Sequence, residues 1–351
     1  MAERIVVVAP TPPGVEGVEW RKTPACTHGE VLLLHPQSPP PRGPCRWARV
    51  PHRSLLPRVV ELVAGGADPG DAVLQAALDA VREALDYEPA WSARGLSPPR
   101  RPPPIQVWGN VYHDTGGPRE AARLEAEGAD AIVYGGRPGG CDGYLEGLKQ
   151  AVEEAGVPVL ADPGGCAGPV EVYEAGAAGY MSITLETAGR VPEWLRSMMA
   201  FIVIPDGTPR DPSARAAMLV EAEETLLSMG YSRIVLDPVA QPLVSPGLLP
   251  SLAAAMEASK TVESPIMLGL ENAYELLDAD THAAIAVLVA LAAEAGVSIV
   301  LVGEHSWKSR GAVLEAKTAA ALVGAALKLG TPPKDYPVRL LPWKGKGRDY
   351  P

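Results

Sequence analysis

Short runs rich in Val, Ile and Leu alternate with amphipathic stretches through most of the chain after residue 104. Each run has the length of a buried strand, and each is followed by apolar residues at helical spacing. The predicted strands are residues 105–108, 131–134, 157–161, 179–185, 201–204, 233–236, 265–268 and 298–302. Eight strand–helix pairs in about 225 residues match a (β/α)8 barrel. The pattern therefore predicts an α/β protein with a TIM barrel over residues 105–330.

A doubly wound open sheet is the structural alternative. Such sheets usually have fewer strands and a Gly-rich phosphate turn after the first strand, and this sequence shows neither feature.

The first 104 residues predict a small N-terminal α/β region. Strand candidates lie at residues 5–9 and 31–34, and helical periodicity covers residues 55–64 and 70–87. The proline-dense segment 97–104 is interpreted as a stiff linker that ends this region, because consecutive prolines can continue neither a helix nor a central strand. Residues 331–351 are left as a C-terminal tail.

One stretch, residues 283–303, is apolar enough to resemble a membrane span. Glu294 and Gly296 divide it into an Ala-rich helix and a Val/Ile strand. The interpretation is therefore a buried helix followed by a strand, and no membrane partner is expected.

Composition narrows the class of ligand. Hydrophobic residues make up 47% of the chain and charged residues 21%, which suits a folded protein with a large core. The net charge is −11 and the basic residues are scattered, which argues against nucleic-acid binding and favours a small-molecule ligand. The N-terminus lacks the pattern of a secretory signal, so a cytoplasmic location is expected.

The residue usage also suggests life at high temperature. There are 37 prolines, Arg outnumbers Lys, and the only asparagines are Asn110 and Asn272. Loss of heat-labile amides is typical of thermophilic proteins, so an asparagine that remains is expected to have a role. The alternative is that codon bias depleted asparagine and left two by chance.

The four cysteines, Cys26, Cys45, Cys141 and Cys166, are too few and too irregularly spaced to predict a disulfide framework. Cys26, Cys45 and two nearby histidines could be drawn as a zinc site, but their spacing fits no compact knuckle. A strand flanked by loop residues is the preferred interpretation.

Polar residues follow most of the predicted barrel strands. In a barrel these positions share the C-terminal face, where active sites lie. A single Asp there is often only a turn former or a helix cap, but six strands contributing to one mouth indicate a binding site. The candidate ligand-binding residues are Asn110, Asp162, Asp237, Gln241, Glu271 and Asn272.

The segment HSWKSRG, residues 305–311, follows the eighth strand and opens the last helix. Helix N-termini favour anions, and barrels often bind phosphate in this loop, so a phosphate or pyrophosphate group is the leading ligand. Ser306 and Ser309 are candidate donors, and Lys308, Arg310 and His305 are the candidate catalytic residues. A solvated basic helix start is the alternative. The GRPGG run at residues 136–140 is interpreted as a flexible loop.

The acidic and amide residues of the mouth suit a flat heterocycle. Asn110, Asp162 and Asp237 could accept and donate along a guanidine-like edge, which a pterin possesses. With Glu271, Asp278, Asp280 and His305, the same carboxylates offer oxygen ligands suited to Mg²⁺, although no metal motif is present. The sequence therefore does not assign a cofactor.

Four segments resemble a known family: GADAIVYGGRPGG at 128–140, RIVLDPVAQP at 233–242, GLENAYELLDADTHA at 269–283 and GEHSWKSRG at 303–311. They are similar to archaeal dihydropteroate synthase-related proteins, and more distantly to dihydropteroate synthases and pterin-binding methyltransferases. The resemblance implies a pterin deep in the barrel, and a basic segment near the pyrophosphate that leaves when p-aminobenzoate attacks.

Some positions depart from the pattern of a synthase. Val133 stands where a synthase usually has Asp, Met181 where it has Asn, and Glu271 and Asn272 replace a Ser-Arg-Lys run. Three hypotheses therefore remain. The first is a pterin-binding transferase of folate or methanopterin metabolism, the second is a methyltransferase acting with a corrinoid protein, and the third is a non-catalytic barrel used for binding or assembly. A homodimer is suggested only by analogy with other barrels.

Overall fold

The structure, a computed structural model, describes residues 4–334. These residues divide between two compact units, one containing residues 4–86 and 322–334 and the other residues 87–321. Most of the predicted C-terminal tail, residues 335–351, lies outside the described residues.

The first unit is built on a four-stranded parallel sheet with the order β2-β1-β3-β4. The two strands predicted at 5–9 and 31–34 are its central pair, β1 and β3, whose continuous apolar runs are buried. The polar edge strands β2 and β4 carry no such run and were not predicted. The elements are β1 Arg4–Val8, β2 Glu19–Arg21, β3 Glu30–Leu34, β4 Arg46–Arg49, α1 Leu56–Ala64 and α2 Pro69–Leu85.

The second unit is an eight-stranded parallel barrel, as the sequence predicted. Its strands are β5 Gln106–Tyr112, β6 Ala131–Gly135, β7 Val159–Asp162, β8 Gly179–Ile183, β9 Ala200–Val203, β10 Ile234–Leu236, β11 Met267–Gly269 and β12 Ile299–Gly303. The helices are α3 Gly117–Ala126, α4 Tyr144–Glu154, α5 Pro169–Glu174, α6 Leu185–Ala188, α7 Pro212–Ser228, α8 Leu249–Ala258, α9 Glu271–Tyr274, α10 Thr281–Glu294 and α11 Ala312–Leu329, the last of which continues into the first unit.

The sheet closes on itself. Its strand order is β10-β9-β8-β7-β6-β5-β12-β11, and Leu236 of β10 bridges Ile266 in parallel beside β11. The Leu236 N–H donates to the Pro265 carbonyl at 2.9 Å. The open-sheet alternative is therefore wrong for residues 105–303.

The barrel interior is filled by apolar side chains, as a packed core requires. Val133 and Met181, the two positions that depart from a synthase, are buried in this cluster, at 0% and 5% exposure. Both therefore supply packing rather than polar groups to the mouth.

The barrel unit begins at Tyr87, before the proline-dense segment that was interpreted as a linker. Leu96 is buried against the interior cluster, and Trp91 packs on the same cluster. The Arg101 guanidinium donates to the carbonyls of Ser259 and Ser264. Residues 87–104 therefore cover the N-terminal end of the barrel.

The stretch at 283–303 contains most of α10 and all of β12, which confirms its interpretation as a helix followed by a strand. Among residues 4–334, no helix has the length and apolar character needed to cross a membrane.

The expectation of no disulfides was wrong. The structure joins Cys26 to Cys45 in the first unit and Cys141 to Cys166 in the barrel. Each pair comes from two loops that the sheets bring side by side, which sequence spacing alone does not reveal. Because Cys26 and Cys45 are joined in a disulfide, they are not available as ligands for the zinc site considered from the sequence.

We expect Leu96→Ala to lower the free energy of unfolding of the barrel by about 2–4 kcal/mol, because it leaves a cavity under a closed core. Urea denaturation followed by tryptophan fluorescence measures the change. Leu227→Ala is the matched control, since Leu227 is 49% exposed in the same unit, and should cost less than about 1 kcal/mol. Equal losses in the two variants would contradict the assignment of Leu96 to the core.

Candidate functional site

The C-terminal mouth of the barrel places polar side chains from distant strands within contact. Its centre is Glu271, which opens α9 immediately after β11. Asn110 of β5 donates its amide N–H to Glu271 Oε1 at 2.8 Å, and His305 Nε2 lies 3.2 Å from Glu271 Oε2. One carboxylate therefore joins residues separated by more than 160 positions in the sequence.

Gly303 allows this arrangement at the end of β12. A Cβ at this position would lie 2.1 Å from His305 Nε2 and 2.4 Å from a Glu271 carboxylate oxygen. A side chain at this position would therefore displace the His305 imidazole and the Glu271 carboxylate from the places they occupy.

The His305–Glu271 contact influences the charge of the imidazole. Burial alone would lower the pKa of His305, but its hydrogen bond to Glu271 and the negative charges of Glu271 and Glu275 outweigh burial and raise this pKa. The mouth therefore favours the cationic form of His305.

Asp162 and Asp237 form the acidic floor of the mouth. Burial raises the pKa of both carboxyls, and the charge of Glu271 adds to the effect. The pKa of Asp237 reaches about 7, although the Val239 N–H donates to its Oδ1 at 2.8 Å and opposes the shift. Asp237 remains partly accessible to solvent despite its surroundings. Near neutral pH the floor can therefore accept or release a proton.

A cationic wall stands beside this floor. The Arg137 guanidinium lies 4.0 Å from the centre of the Tyr112 ring, and the Tyr112 and His305 rings are 4.9 Å apart. Arg137 also pairs with Asp114 at 3.3 Å. A cleft of about 550 Å³ is lined by Asn110, Val111, Thr115, Glu120, Arg137, Glu304, His305, Ser306, Trp307 and Arg310. Its size and donors suit an anionic group of a small molecule.

Sequence reasoning missed Arg137 because GRPGG was interpreted as a flexible loop. The structure shows why its first glycine is required: a Cβ at Gly136 would lie 2.4 Å from the Pro163 carbonyl oxygen. The opposite loop has the same constraint, since a Cβ at Gly164 would lie 2.5 Å from the Gly136 oxygen. The two loops thus pass in backbone contact, and this contact fixes where Arg137 leaves the chain.

Two further contacts hold this loop. The Cys141–Cys166 disulfide connects it to the loop after β7. His113 bonds the Asp142 carbonyl at 2.9 Å through Nε2 and the Tyr134 hydroxyl at 2.8 Å through Nδ1. The segment 136–143 is therefore fixed at both ends.

The segment after β12 divides between two places. His305, Ser306 and Arg310 line the cleft, whereas Lys308 donates its Nζ to the carbonyls of Glu275 and Leu277 at 2.7 and 2.6 Å. Ser309 is fully buried, and its hydroxyl donates to Glu275 at 2.5 Å. Lys308 and Ser309 therefore hold this segment to the α9 region, and the structure does not place them in the cleft.

The remaining predicted residues lie at the rim. Asn272 donates its side-chain N–H to the Ala240 carbonyl at 3.0 Å, linking the loops after β11 and β10. The Gln241 backbone N–H donates to Ser251 at 3.2 Å. Asp206, an exposed residue after β9 on the same face, accepts a long contact of 3.4 Å from the Glu186 N–H. Asn272 thus aligns the two loops from which Asp237 and Glu271 emerge.

The side chains that the sequence suggests as Mg²⁺ ligands do not all lie in one place. Glu271 and His305 meet in the mouth, whereas Asp278 and Asp280 line a neighbouring pocket with Lys308. Among residues 4–334, no group of three or more His, Cys, Asp and Glu side chains is arranged to hold a metal ion.

Comparison with known proteins supports the fold. No family model matches the chain. An uncharacterized protein of Methanocaldococcus jannaschii is 28% identical over 229 residues, which are 62% of this chain and 44% of that protein. The match thus spans less than half the length of this curated relative.

Dihydropteroate synthases share the barrel architecture. A Yersinia pestis dihydropteroate synthase aligns with a TM-score of 0.53 and 18% identity, over 69% of this chain and 99% of the synthase. The Thermus thermophilus enzyme in complex with 6HMPPP aligns with a TM-score of 0.50 and 20% identity, over 64% of this chain and 94% of that enzyme. The chain has the TIM-barrel fold of these enzymes. At such identities the likeness concerns the fold alone.

The raised pKa of Asp237 gives a pH-dependent prediction. A raised carboxyl pKa means that stability is greatest while the group is protonated and is lost as pH rises from the unfolded value of 3.8 towards about 7. Asp237→Asn keeps the acceptor for Val239 but cannot ionise. The variant should therefore gain stability over the wild type across this range, levelling at on the order of 1–3 kcal/mol above pH 7.

Urea denaturation at a series of pH values measures this gain. Asp206→Asn, an exposed Asp on the same face, is the control and should follow the wild type. A constant difference between Asp237→Asn and the wild type at every pH would show that Asp237 ionises normally.

The Cys141–Cys166 disulfide gives a second prediction. The two cysteines have a sequence separation of 25. Loss of the disulfide should lower the free energy of unfolding by roughly 3 kcal/mol, because the unfolded chain is then no longer restrained by a closed loop. Cys141→Ser with Cys166→Ser should speed amide hydrogen exchange in residues 136–143 at least about tenfold. Cys26→Ser with Cys45→Ser is the matched control and should leave this segment unchanged. Similar exchange rates in both double variants would show that the Cys141–Cys166 disulfide does not hold the segment that carries Arg137.

Proposed function

We propose that the barrel binds a pterin and acts as a transferase of the dihydropteroate synthase type, condensing a pterin pyrophosphate with an arylamine. The observation that carries the proposal is the meeting of an acidic floor and a cationic cleft in one mouth. Asp162 and Asp237 provide the floor, and Arg137 and His305 stand beside it. A pterin pyrophosphate has a donor-rich ring edge at one end and an anion at the other, which matches these two regions.

The floor suits the ring edge. An ionised Asp237 would accept two N–H groups from the N–C–NH₂ edge, as carboxylates do with guanidinium groups. Asn110 lies at 6% exposure and is held by Glu271, so its amide is oriented before a ligand arrives. Because the pKa of Asp237 is about 7, a ligand that donates to it would favour release of the proton.

The cleft suits the pyrophosphate. Arg137 and Arg310 both line it, and the raised pKa of His305 supports a third positive charge. In the proposed reaction, the arylamine nitrogen forms a bond to the methylene carbon of the pterin. The carbon–oxygen bond breaks, pyrophosphate leaves with the electron pair, and the amine loses a proton. The protein would act through positioning and stabilisation of the departing anion.

A barrel that binds without this reaction is the second candidate. Val133 and Met181 lie in the apolar core, so two of the polar positions that the resemblance implies are absent. A pterin-dependent methyl transfer to a corrinoid protein would use the same floor but would have no need of the cationic cleft.

Isothermal calorimetry with the full chain tests the proposal. Pterin pyrophosphate should bind more tightly than the same pterin without pyrophosphate, and p-aminobenzoate should bind when pyrophosphate and pterin are present. Affinity should peak near neutral pH, because Asp237 must ionise as pH rises while His305 must keep its proton. Heat with the pterin but no condensation product would favour the second candidate, and no heat with either ligand would reject both.

Arg137→Met together with Arg310→Met should weaken pterin pyrophosphate binding at least about tenfold, or 1.4 kcal/mol. Binding of the pterin alone should change little. Lys308→Met is the matched control, because Lys308 follows β12, as Arg310 does, but donates to backbone carbonyls. A larger loss of affinity in the Lys308 variant would show that the anion binds at Lys308 rather than between Arg137 and Arg310.

A further inference from the structure

The first unit contains a crevice at the carboxyl ends of its parallel strands. The chain places β2 on one side of β1 and β3 on the other, so the strand order reverses at β1. In open parallel sheets, ligands bind outside the carboxyl ends of the strands at such a reversal. A cavity of about 210 Å³ lies there, and its lining residues all fall between Val7 and Leu56.

The cavity is mainly apolar. Val7 and Leu33 come from the two central strands, Leu56 comes from the start of α1, and several prolines form the rim. An apolar cavity of about 150 Å³ is known to hold a benzene ring. The volume here therefore has room for one aromatic ring with a small polar substituent.

The polar groups of the cavity are donors. His35 and Arg53 line it, and none of its lining residues is Asp or Glu. The Gln37 N–H donates to His35 Nδ1 at 3.3 Å, so the neutral ring would carry its proton on Nε2. In a chain of net charge −11, this cavity is locally positive.

Arg53 keeps its positive charge without a carboxylate partner among residues 4–334. Its Nε donates to the Pro13 carbonyl at 3.0 Å, and its Nη2 donates to the Pro12 carbonyl at 2.9 Å. Nη2 also donates to the Pro13 carbonyl at 2.7 Å, so these contacts fix the guanidinium against the rim and leave Nη1 and the exposed charge to meet an anion. An anion in the cavity would supply the missing charge.

The rim discriminates between classes of anion. Phosphate groups in such crevices are usually held by successive backbone N–H groups of a Gly-rich turn. Here the segment after β1 includes Pro10, Thr11, Pro12 and Pro13, and a proline has no N–H to donate. A carboxylate, which a single guanidinium can hold, fits this rim better than a phosphate.

We propose that this crevice binds a small organic acid, a carboxylate on an apolar body the size of one aromatic ring. The body would lie between Val7, Leu33 and Leu56, and the carboxylate would accept from Arg53 and His35. The site is separate from the barrel mouth, so the inference does not depend on the proposed transferase activity.

Fluorine NMR titration of the full chain with 4-fluorobenzoate tests the proposal, and 4-fluorobenzyl alcohol is the neutral counterpart. We expect saturable binding of the acid with a dissociation constant of about 1 mM or tighter, and binding of the alcohol at least about tenfold weaker. Ala9→Leu, which fills the cavity without changing charge, and Arg53→Met should each weaken the acid at least about tenfold. Arg49→Met is the matched control, since Arg49 also donates to a backbone carbonyl but lies outside the cavity.

Several results would overturn the proposal. No saturation by about 10 mM acid would do so, as would binding of the acid unaffected by Ala9→Leu, which would assign it to another site. Equal affinity for the alcohol would show an apolar pocket suited to a hydrophobic side chain of a protein partner. Should Arg53→Met disturb the proline rim, Ala9→Leu and the comparison of acid with alcohol still decide the matter.

Discussion

Closure of the parallel sheet between β10 and β11 is the constraint on which the mouth depends. The bridge from Leu236 to Ile266 completes the ring of strands by bringing β10, at one end of the strand order, beside β11, at the other. This closure places the loop after β10 against the loop after β11, where Asn272 donates to Ala240, while the neighbouring strands β11, β12 and β5 bring Glu271 to Asn110 and His305. The apolar interior makes this spacing rigid, because a closely packed core resists deformation. The chemistry of the mouth is therefore a consequence of how the strands return to their starting point.

The mouth separates charge over a short distance. Asp162 and Asp237 lie at its floor, where burial, reinforced by the charge of Glu271, raises the pKa values of both carboxyls. Arg137, Arg310 and His305 line the cleft beside them, and the two glutamates of the cleft, Glu120 and Glu304, pair with Arg123. Glu271 belongs to both regions, since it accepts from Asn110 and faces His305. A ligand with opposite polarity at its two ends would relieve both accumulations of charge, whereas a uniformly charged ligand would relieve only one.

The barrel was predictable because each of its strands is a short apolar run with a helix after it, and strand ends in a barrel share one face. The same reasoning located Asn110, Asp162, Asp237 and Glu271. It failed for Arg137, whose position depends on the backbone contact between Gly136 and Gly164. The charge of Lys308 favours a catalytic role in the sequence, but its hydrogen bonds to backbone carbonyls depend on the conformation of the α9 region. The disulfides likewise follow from the proximity of loops, which a single sequence does not encode at any fixed spacing.

The two asparagines acquire a further meaning from their contacts. Hydrolysis of a side-chain amide, the common chemical ageing of asparagine in hot water, would turn Asn110 from a donor into a second carboxylate facing Glu271. Repulsion would then replace the hydrogen bond that orients the mouth. The same damage at Asn272 would break the link to Ala240. Hydrolysis of these two side-chain amides would thus disable the mouth while the barrel stayed folded.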